Sequence, residues 1–264
     1  MDIHFYKYQG TGNDFIILDN RNGEHANLSA KQILFLCDRR FGIGSDGLML
    51  LNTAEGYDFE MKYFNADGKE GSMCGNGGRC LVKFAYHIGI HKGTYHFKAM
   101  DGDHEAEIDL DGTVSLKMSD VPEVKKMNGD VTVDTGSPHY VKMVHKVAQL
   151  DVFKNGKAIR DSDRFFKEGI NVNFVEQVGD DEIFVRTYER GVEDETLSCG
   201  TGVTAAAIAS YHNENGFNDV VVHTRGGKLN VEYERHGDGS YQNIWLSGPA
   251  ERVFEGTVKL SVLQ

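Results

Sequence analysis

The stretch SMCGNGGRCLVKFAY, residues 72–86, places a cysteine directly before a glycine-rich turn and an apolar run that is typical of a helix. The same arrangement returns in LSCGTGVTAAAIASY, residues 197–211. The two cysteines, Cys74 and Cys199, are separated by nearly half the chain. One such turn could be chance, but two at this distance indicate a duplicated architecture.

The similarity extends beyond the two turns. MKYFNADGKEGSMCGNG, residues 61–77, matches VRTYERGVEDETLSCGTG, residues 185–202, and in both a β-type run leads through a polar loop to the cysteine. After each helix comes a strand–turn–strand pattern, FKAMDGDHEAEI at 97–108 and VHTRGGKLNVEY at 222–233. Two halves with one order of elements predict two similar α/β (α+β) domains with pseudo-twofold symmetry.

Much of the remaining sequence favours strands, because segments rich in β-branched and aromatic residues are bounded by Gly, Asn and Asp. HEAEIDLDGTVSLKMS, residues 104–119, predicts a hairpin with Asp111-Gly112 in a type I′ turn. Ser29 is the expected N-cap of a helix through residues 29–41. The expected strands are residues 15–19, 57–64, 171–178 and 182–190.

The domain boundary is expected near SDVPEV, residues 119–124. This gives an N-terminal half at 1–118 and a C-terminal half at 119–252. A C-terminal strand, 253–264, is expected to pack back onto the first half.

Composition and charge argue against several classes of protein. The formal net charge is −12 at pH 7, whereas nucleic-acid and anionic membrane surfaces require clustered Lys and Arg. No apolar run approaches the roughly 18 residues of a membrane span. The start, MDIHFYKYQG, lacks the basic and apolar segments of a signal peptide. We therefore expect a cytoplasmic protein with reduced thiols, without nucleic-acid or membrane partners.

The four cysteines are too few for a disulfide scaffold of this size. Cys74 and Cys80 form C-x5-C, outside the usual zinc-ligand spacing, and there is no second pair, so no metal is expected. Cys37 and Cys80 fall within helical apolar patterns and are expected to be buried, unreactive side chains. For Cys74 and Cys199 the duplicated context favours a chemical role.

A helix begins with unpaired backbone N–H groups and a partial positive charge. A cysteine at this position ionises more easily, and its pKa can fall from about 8.5 to about 3.5–7.5. Glycines allow the backbone N–H groups to approach an anion closely. Each half therefore offers a potential base beside a site for a carboxylate-sized anion.

This chemistry suits inversion at the α-carbon of an amino acid. With the halves facing each other, one thiolate removes the α-proton while the opposing thiol delivers a proton to the other face. The developing charge on the adjacent carboxylate must be stabilised by preorganised donors, which two helix N-termini supply. A pyridoxal cofactor would also stabilise the carbanion, but no lysine lies in a comparable turn and no cofactor is expected.

Six motifs in order along the chain closely resemble the diaminopimelate epimerase family. They are GTGNDF at 10–15, FNADG at 64–68, MCGNGGR at 73–79, GSPH at 136–139, YERG at 188–191 and SCGTG at 198–202. The resemblance implies a cofactor-independent isomerase that interconverts LL- and meso-2,6-diaminopimelate for lysine and peptidoglycan synthesis. It also implies two similar domains, each with a sheet around a central helix, a cleft between them and a homodimer.

The resemblance also assigns residues. Cys74 and Cys199 match the two catalytic acid/bases, and His139 and Glu189 match residues that tune the thiol pKa values. Without the resemblance, His139 would be interpreted as a structural residue of a turn, and Glu189 as a solvent-exposed residue at the end of a strand. The positions that match substrate contacts are Asn13, Asn65, Asn76, Asn171, Glu189 and Arg190, and the backbone cradle of the reacting carboxylate matches Gly75, Asn76, Gly200 and Thr201.

Three features depart from the family pattern. The loop at 189–200, ERGVEDETLSCG, is one residue longer than the common form and more acidic. Ser137 stands where many members have Asn, and Gly47 stands where some have Gln. These departures bear on the finer substrate contacts and not on the class of reaction.

Other functions stay open from sequence. A proline or hydroxyproline racemase of related type usually has C-G-H-G at the first turn, so Asn76 argues against it. A phenazine-biosynthesis type of isomerase lacks the paired thiols. A non-catalytic amino-acid-binding or thiol-redox module is the alternative from a different class, and it would not exchange the substrate α-proton with solvent.

Overall fold

The structure is a computed structural model that describes residues 2–210 and 214–260. The described residues fall into two compact units, one within the ranges Met1–Leu116 and Pro249–Gln264 and the other within Lys117–Gly248. The division at 118 and 252 as independent domains stays a prediction. Two predicted segments end outside the described residues. Tyr211 is the last residue of the second Cys-Gly stretch, and residues 261–264 are the end of the expected C-terminal strand.

The chain is dominated by strands, with four α-helices in the described residues. The helices are α1 Ala30–Cys37, α2 Gly75–His87, α3 Val152–Arg160 and α4 Gly200–Ser210, with a 3-10 turn at Val147–Gln149. The strands are β1 Asp2–Gly10, β2 Asn13–Asp19, β3 Gly47–Asn52, β4 Phe59–Asn65, β5 Glu70–Gly71, β6 Thr94–Ala99, β7 Gly102–Ile108, β8 Val114–Lys117, β9 Lys125–Met127, β10 Asp130–Asp134, β11 Pro138–Met143, β12 Asn171–Gln177, β13 Glu182–Glu189, β14 Asp194–Thr196, β15 Gly216–Thr224, β16 Gly227–Arg235, β17 Tyr241–Gly248 and β18 Glu251–Lys259.

The two units repeat one order of strand pairing. In the first, β1 and β2 are antiparallel, β2 and β3 parallel, β3 and β4 antiparallel, β4 and β6 parallel, and β6 and β7 antiparallel. In the second, β10, β11, β12, β13, β15 and β16 pair in the same sequence of directions. Strand β18 adds to the first unit by pairing antiparallel with β1. The predicted repetition of two α/β units is confirmed.

Each unit has one helix packed against several of its strands. Helix α2 contacts β1, β2, β3, β7 and β18, and helix α4 contacts β10–β13 and β15–β17. Helix α4, with the sequence GTGVTAAAIAS, is apolar on nearly every side, as expected of a helix that is buried all round. A sheet around a central helix, as the resemblance implied, is therefore what each unit forms.

The first helix begins as predicted but ends early. Ser29 is its N-cap and forms a capping box with Gln32. The helix stops at Cys37 and does not continue to Phe41. The Asp38 carboxylate accepts hydrogen bonds at 2.7 Å from the backbone N–H groups two and three residues further on. This local turn competes with the helical hydrogen bonds and ends the helix.

The hairpin of β7 and β8 forms as predicted, but the predicted type I′ turn is wrong. Ile108 pairs with Val114, so the connection is longer than two residues. Gly112 has a φ of 86°, whereas Asp111 is not among the residues with positive φ. A type I′ turn requires positive φ at both central residues. Instead, the Gly112 N–H donates to the Asp109 carbonyl at 2.9 Å, and Gly112 alone adopts the left-handed conformation.

Helix α3 packs against β13 at a point where one glycine is necessary. A Cβ added at Gly156 would lie 2.3 Å from the Tyr188 Cβ and 2.6 Å from its Cγ. Alanine stabilises a helix interior by about 1 kcal/mol relative to glycine. Because of the overlap with Tyr188, we nevertheless expect Gly156→Ala to lower the free energy of unfolding by about 1–3 kcal/mol. Urea denaturation measures the change. Gly93→Ala, which meets no atom within 4 Å, is the control, and equal stability of the two variants would contradict the expectation.

Candidate active site

Both cysteines of the repeated turns lie at the start of the central helix of their unit. Cys74 is the N-cap of α2 with extended φ and ψ of −101° and 126°, and its carbonyl accepts the Gly78 N–H at 2.7 Å. The Cys199 carbonyl likewise accepts the Val203 N–H at 2.8 Å, at the start of α4. Each thiol is half-buried. The N–H groups and dipole of a helix start favour an anion at both positions, and the catalytic role of the thiols stays a prediction.

Asn13 presents its amide oxygen to the Cys74 sulfur. Its amide nitrogen donates to the Asp46 carboxylate, and since a carboxylate only accepts, the orientation of the amide is fixed. The amide oxygen lies 3.6 Å from the Cys74 Sγ. Asp46 is itself held by Arg39 at 2.7 Å. Asn13 is therefore locked with its acceptor towards the thiol.

Arg79 is a feature of this site that sequence reasoning missed. Its guanidinium is fully buried and donates to the Gly75 carbonyl at 3.3 Å, to the Asn76 Oδ1 at 2.9 Å and to the Thr11 Oγ1 at 3.3 Å. Burial lowers its pKa, and negative charge on the nearby Cys80 and, more weakly, on Cys74 acts in the opposite direction. Through its hydrogen bonds to Gly75 and Asn76, the guanidinium orients the first turn of the helix. An Arg inside a buried apolar helix was the available signal, since buried charges are rare unless they are paired.

The other predicted residues of the first unit divide into two groups. Gly75 and Asn76 are buried in the first turn of α2, beside Cys74. Asn65 is exposed at the end of β4, and its amide nitrogen points to the Lys69 carbonyl at 3.5 Å, so that it closes its own loop.

The departure at Gly47 has a steric explanation. A Cβ there would lie 2.5 Å from the Tyr63 ring and 2.7 Å from the Phe64 carbonyl oxygen. The Tyr63 ring thus occupies the space that a side chain at Gly47 would need.

In the second unit, Cys199 is connected to a buried histidine through a hydroxyl. Its Sγ lies 3.5 Å from the Thr201 Oγ1, which lies 2.9 Å from the His139 Nε2. His139 is fully buried, and burial, with the charge of Arg190 as a further cause, lowers its pKa to about 3. Its Nδ1 lies 3.0 Å from the amide nitrogen of Asn173. Sequence reasoning missed Asn173; a polar residue in the apolar run of β12, two positions after Asn171, was the available signal.

Asn171 and Arg190 meet at Ser137. The Asn171 Oδ1 accepts the Arg190 backbone N–H at 2.9 Å, and its Nδ2 donates to the Ser137 Oγ at 2.9 Å. The Arg190 guanidinium donates to the Ser137 Oγ at 3.4 Å and to the Glu168 carbonyl at 3.1 Å. Glu189, which precedes Arg190, is the half-buried last residue of β13. The serine that departs from the family pattern is therefore the point that orients both side chains.

The longer acidic loop is held by arginines of its own unit. Glu193 lies 3.4 Å from Arg160. Glu195 accepts two hydrogen bonds of 2.7 Å from Arg186 and lies 3.1 Å from Arg225. A bidentate Arg–carboxylate pair is among the strongest hydrogen-bonded contacts in proteins. Both glutamates are thus used in structural ion pairs.

Two kinds of feature are absent from the described part of the chain. It contains no group of three or more His, Cys, Asp or Glu side chains arranged to hold a metal ion. None of its helices has the length and apolar character needed to cross a membrane.

Solved structures define the class of fold. A phenazine biosynthesis protein of the PhzF family from Bacillus anthracis superposes with a TM-score of 0.75 at 15% identity, over 98% of this chain and 100% of that one. A hydroxyproline epimerase from Agrobacterium vitis superposes with a TM-score of 0.68 at 13% identity, over 97% of this chain and 92% of that one. At these identities the likeness establishes the fold that these proteins share.

Sequence comparison identifies the family. The diaminopimelate epimerase family matches residues 5–124 and 131–253. Diaminopimelate epimerases are 48% identical in Flavobacterium psychrophilum, over 97% of this chain and 100% of the relative, and 44% identical in Chlorobaculum tepidum, over 95% and 99%. The relative from Aquifex aeolicus is 38% identical over 99% of this chain and all of its own length. The chain belongs to the diaminopimelate epimerase family and is an isomerase.

The low pKa of His139 makes stability depend on pH in a defined direction. The unfolded chain binds a proton at this residue near pH 6.5, whereas the folded chain resists protonation down to about pH 3. Folding stability is therefore lost as pH falls between these values. Between pH 7.5 and 4.5 we expect wild type to lose roughly 2–3 kcal/mol more unfolding free energy than His139→Gln.

Urea denaturation at a series of pH values measures this difference. His145→Gln, at an exposed residue of the same unit, is the control and should follow wild type. Parallel curves for wild type and His139→Gln would show that His139 titrates normally in the folded protein.

Proposed function

We propose that this protein interconverts LL- and meso-2,6-diaminopimelate, in lysine and peptidoglycan synthesis, with Cys74 and Cys199 as its two acid/bases. The observation that carries the proposal is a thiol at the start of the central helix in each of two units with the same element order. Membership of the diaminopimelate epimerase family supports the substrate and the reaction. The proline, hydroxyproline and phenazine alternatives are supported by likeness of fold alone.

Inversion needs one base and one acid on opposite faces of the α-carbon. One cysteine, as thiolate, takes the α-proton and becomes a thiol. The other, as thiol, gives its proton to the opposite face and becomes a thiolate, so the protein ends with the two protonation states exchanged. Each cysteine is then the base in one direction of the reaction and the acid in the other.

The carbanion must be stabilised through the adjacent carboxylate. Backbone N–H groups at Gly75-Asn76 and at Gly200-Thr201 are the proposed donors, because they occupy the first turns of α2 and α4. Such fixed donors at developing charge are worth several kcal/mol in acyl-transfer enzymes, roughly 2.7–4 for one donor. The proposal therefore needs no pyridoxal cofactor.

The distal end of the substrate carries an ammonium and a carboxylate, for which Arg190 and Glu189 are the proposed charged contacts. Arg190 donates to two neutral oxygens, and no carboxylate in the described part of the chain forms an ion pair with it. Its planar guanidinium is suited to bidentate carboxylate binding. The remaining proposed contacts are Asn13, Asn65, Asn76 and Asn171.

A homodimer and a cytoplasmic location complete the proposal. Strand β18 exposes the apolar side chains of Val253 and Phe254, and exposed apolar side chains are suited to an interface. The four cysteines are free, as in a reducing compartment. Sedimentation analysis of the purified protein tests the dimer.

The two-base role is tested by incubating the purified protein with each stereoisomer in deuterated water. Wild type should invert the α-carbon and incorporate deuterium, as followed by NMR and by separation of the stereoisomers. Cys74→Ala and Cys199→Ala should each abolish inversion in both directions, because each removes the group on one face. Cys37→Ala, at a buried thiol whose pKa is raised by burial, is the matched control and should remain active.

The single variants also distinguish binding from catalysis. A variant that retains one thiolate can still exchange the α-proton of one stereoisomer with solvent without inverting it. Inversion by both alanine variants at near wild-type rates would exclude the paired-thiol mechanism. A wild-type protein that neither inverts nor exchanges would indicate an amino-acid-binding module.

The proposed binding of the distal carboxylate by Arg190 is tested by substitution. Arg190→Lys keeps the charge and loses the planar fork, so kcat/KM for diaminopimelate should fall at least about tenfold. Any activity on lysine, which lacks the distal carboxylate, should fall much less. Arg164→Lys, at an exposed arginine of the same unit, is the control. Equal losses on both substrates would mean that Arg190 acts through folding.

A further inference from the structure

The orientation of the buried Asn173 amide is fixed by a backbone group. Its side-chain nitrogen lies 3.2 Å from the Tyr140 carbonyl oxygen, which can only accept a hydrogen bond. The same nitrogen lies 3.0 Å from the His139 Nδ1, and its other hydrogen is directed there. The Thr187 hydroxyl, 2.9 Å from the Asn173 Oδ1, donates to the oxygen. The His139 Nδ1 is therefore an acceptor and carries no proton.

This orientation determines the direction of the next two hydrogen bonds. A neutral imidazole without a proton on Nδ1 carries it on Nε2. The Nε2–H of His139 then donates to the Thr201 Oγ1 at 2.9 Å. The Thr201 hydroxyl keeps its own proton, and the remaining partner of this oxygen is the Cys199 Sγ at 3.5 Å.

Packing prevents these groups from turning to other partners. His139 and Asn173 are fully buried, and Thr187 is nearly so. A Cβ at Gly202 would lie 2.4 Å from the Asn173 Oδ1 and 3.4 Å from the Cys199 Cβ. The absence of a side chain at Gly202 allows the start of α4 to approach β12 this closely, and the close approach leaves the Asn173 amide no room to rotate.

We propose that Asn173 is a positioning residue that fixes the tautomer of His139. The Thr201 hydroxyl, which accepts a hydrogen bond from His139, then donates its own hydrogen bond to the Cys199 sulfur. A hydroxyl that donates to the sulfur stabilises the thiolate form of Cys199. His139 acts here as a donor and not as a base for Cys199, since Nδ1 is occupied and Nε2 already carries its proton. The role deepens the proposed function of Cys199, on which it rests.

The tautomer is measured directly. Two-bond proton–nitrogen NMR on protein with nitrogen-15 histidine distinguishes a proton on Nε2 from one on Nδ1, and His139→Gln assigns the signal. We expect the His139 proton on Nε2 in wild type. In Asn173→Asp, the carboxylate can only accept, so Nδ1 should gain a proton. A wild-type proton on Nδ1 would overturn the proposal.

The effect on Cys199 is measured by its rate of alkylation with iodoacetamide at pH 7, followed by mass spectrometry of its peptide. Thr201→Val keeps the backbone N–H and removes the hydroxyl, so the rate at Cys199 should fall about tenfold, as expected for a lost hydrogen bond to a charged group. Thr201→Ser should retain the wild-type rate. Thr204→Val, which removes another buried hydroxyl of α4 that bonds the Gly200 carbonyl, is the matched control and should also retain it.

A double-variant comparison tests whether Asn173 acts through Thr201. Asn173→Leu should slow alkylation of Cys199, and the double variant should react no more slowly than Thr201→Val alone. Losses that multiply, or equal rates for Thr201→Val and Thr204→Val, would overturn the proposal. If Asn173→Leu does not fold, the tautomer of wild-type His139 and the alkylation rates of Thr201→Val and Thr204→Val still test the proposal.

These measurements need no substrate, so their failure is separate from that of the proposed function. A protein that inverts diaminopimelate while His139 carries its proton on Nδ1 retains the function and loses this role of Asn173. A protein with the expected tautomer and alkylation rates that inverts no diaminopimelate loses the proposed function and retains the hydrogen-bond chain.

Discussion

The site depends on a helix start that no side chain caps. The first turn of any helix presents unpaired N–H groups, and elsewhere in this protein the side chains of Ser29 and Asp151 each accept from one of them at the starts of α1 and α3. Helix α2 begins at Cys74, whose side chain makes no capping hydrogen bond. Replacing a capping residue by a non-capping one costs roughly 0.5–2 kcal/mol. The packing of α2 against strands of its unit must offset this cost, and the first-turn N–H groups of this helix are the ones proposed above as donors to the substrate carboxylate.

The starts of α2 and α4 lie close to other groups of their units, which explains the glycines at Gly10 of β1 and Gly202 of α4. A Cβ at Gly10 would lie 3.1 Å from the Asn76 carbonyl oxygen and 3.2 Å from the Cys80 sulfur, and Gly202 has the corresponding role against Asn173. Close approach in turn buries polar groups such as Arg79 and His139, which must find partners inside the protein. Nearly all their polar atoms do, while the Arg79 Nε is buried without one. Helix α2 therefore lacks a side-chain cap and a buried polar atom at its start lacks a partner, whereas α1 and α3 are capped. Such departures are expected where function and not stability determines the sequence.

The sequence was sufficient for features that depend on neighbouring residues and on repetition. Segments rich in β-branched and aromatic residues predicted β2, β4, β12 and β13, and the duplicated Cys-Gly turns predicted α2, α4 and the repeated order of elements. Apart from the type of turn at Asp111-Gly112, the failures were of two kinds. The early end of α1 follows from a competition between the Asp38 side chain and the helical hydrogen bonds, which differ by little energy. The burial of Arg79 and Asn173 follows from partners far away in sequence, Thr11 for the arginine and His139 for the asparagine.

The two halves have kept one backbone plan while their side chains have diverged, and the reaction gives a reason for both. In the proposed mechanism an α-carboxylate is held while either face reacts, which accounts for two helix starts with their glycines. In the proposed mechanism, however, the two sulfurs are not equivalent, because one begins as a thiol and the other as a thiolate. Cys74 faces the oxygen of a locked amide, whereas Cys199 faces a hydroxyl held by His139. The two thiols thus have unlike hydrogen-bond partners, and the buried guanidinium of Arg79 belongs to the unit of Cys74 alone, so the repeated backbone gives the two thiols different surroundings.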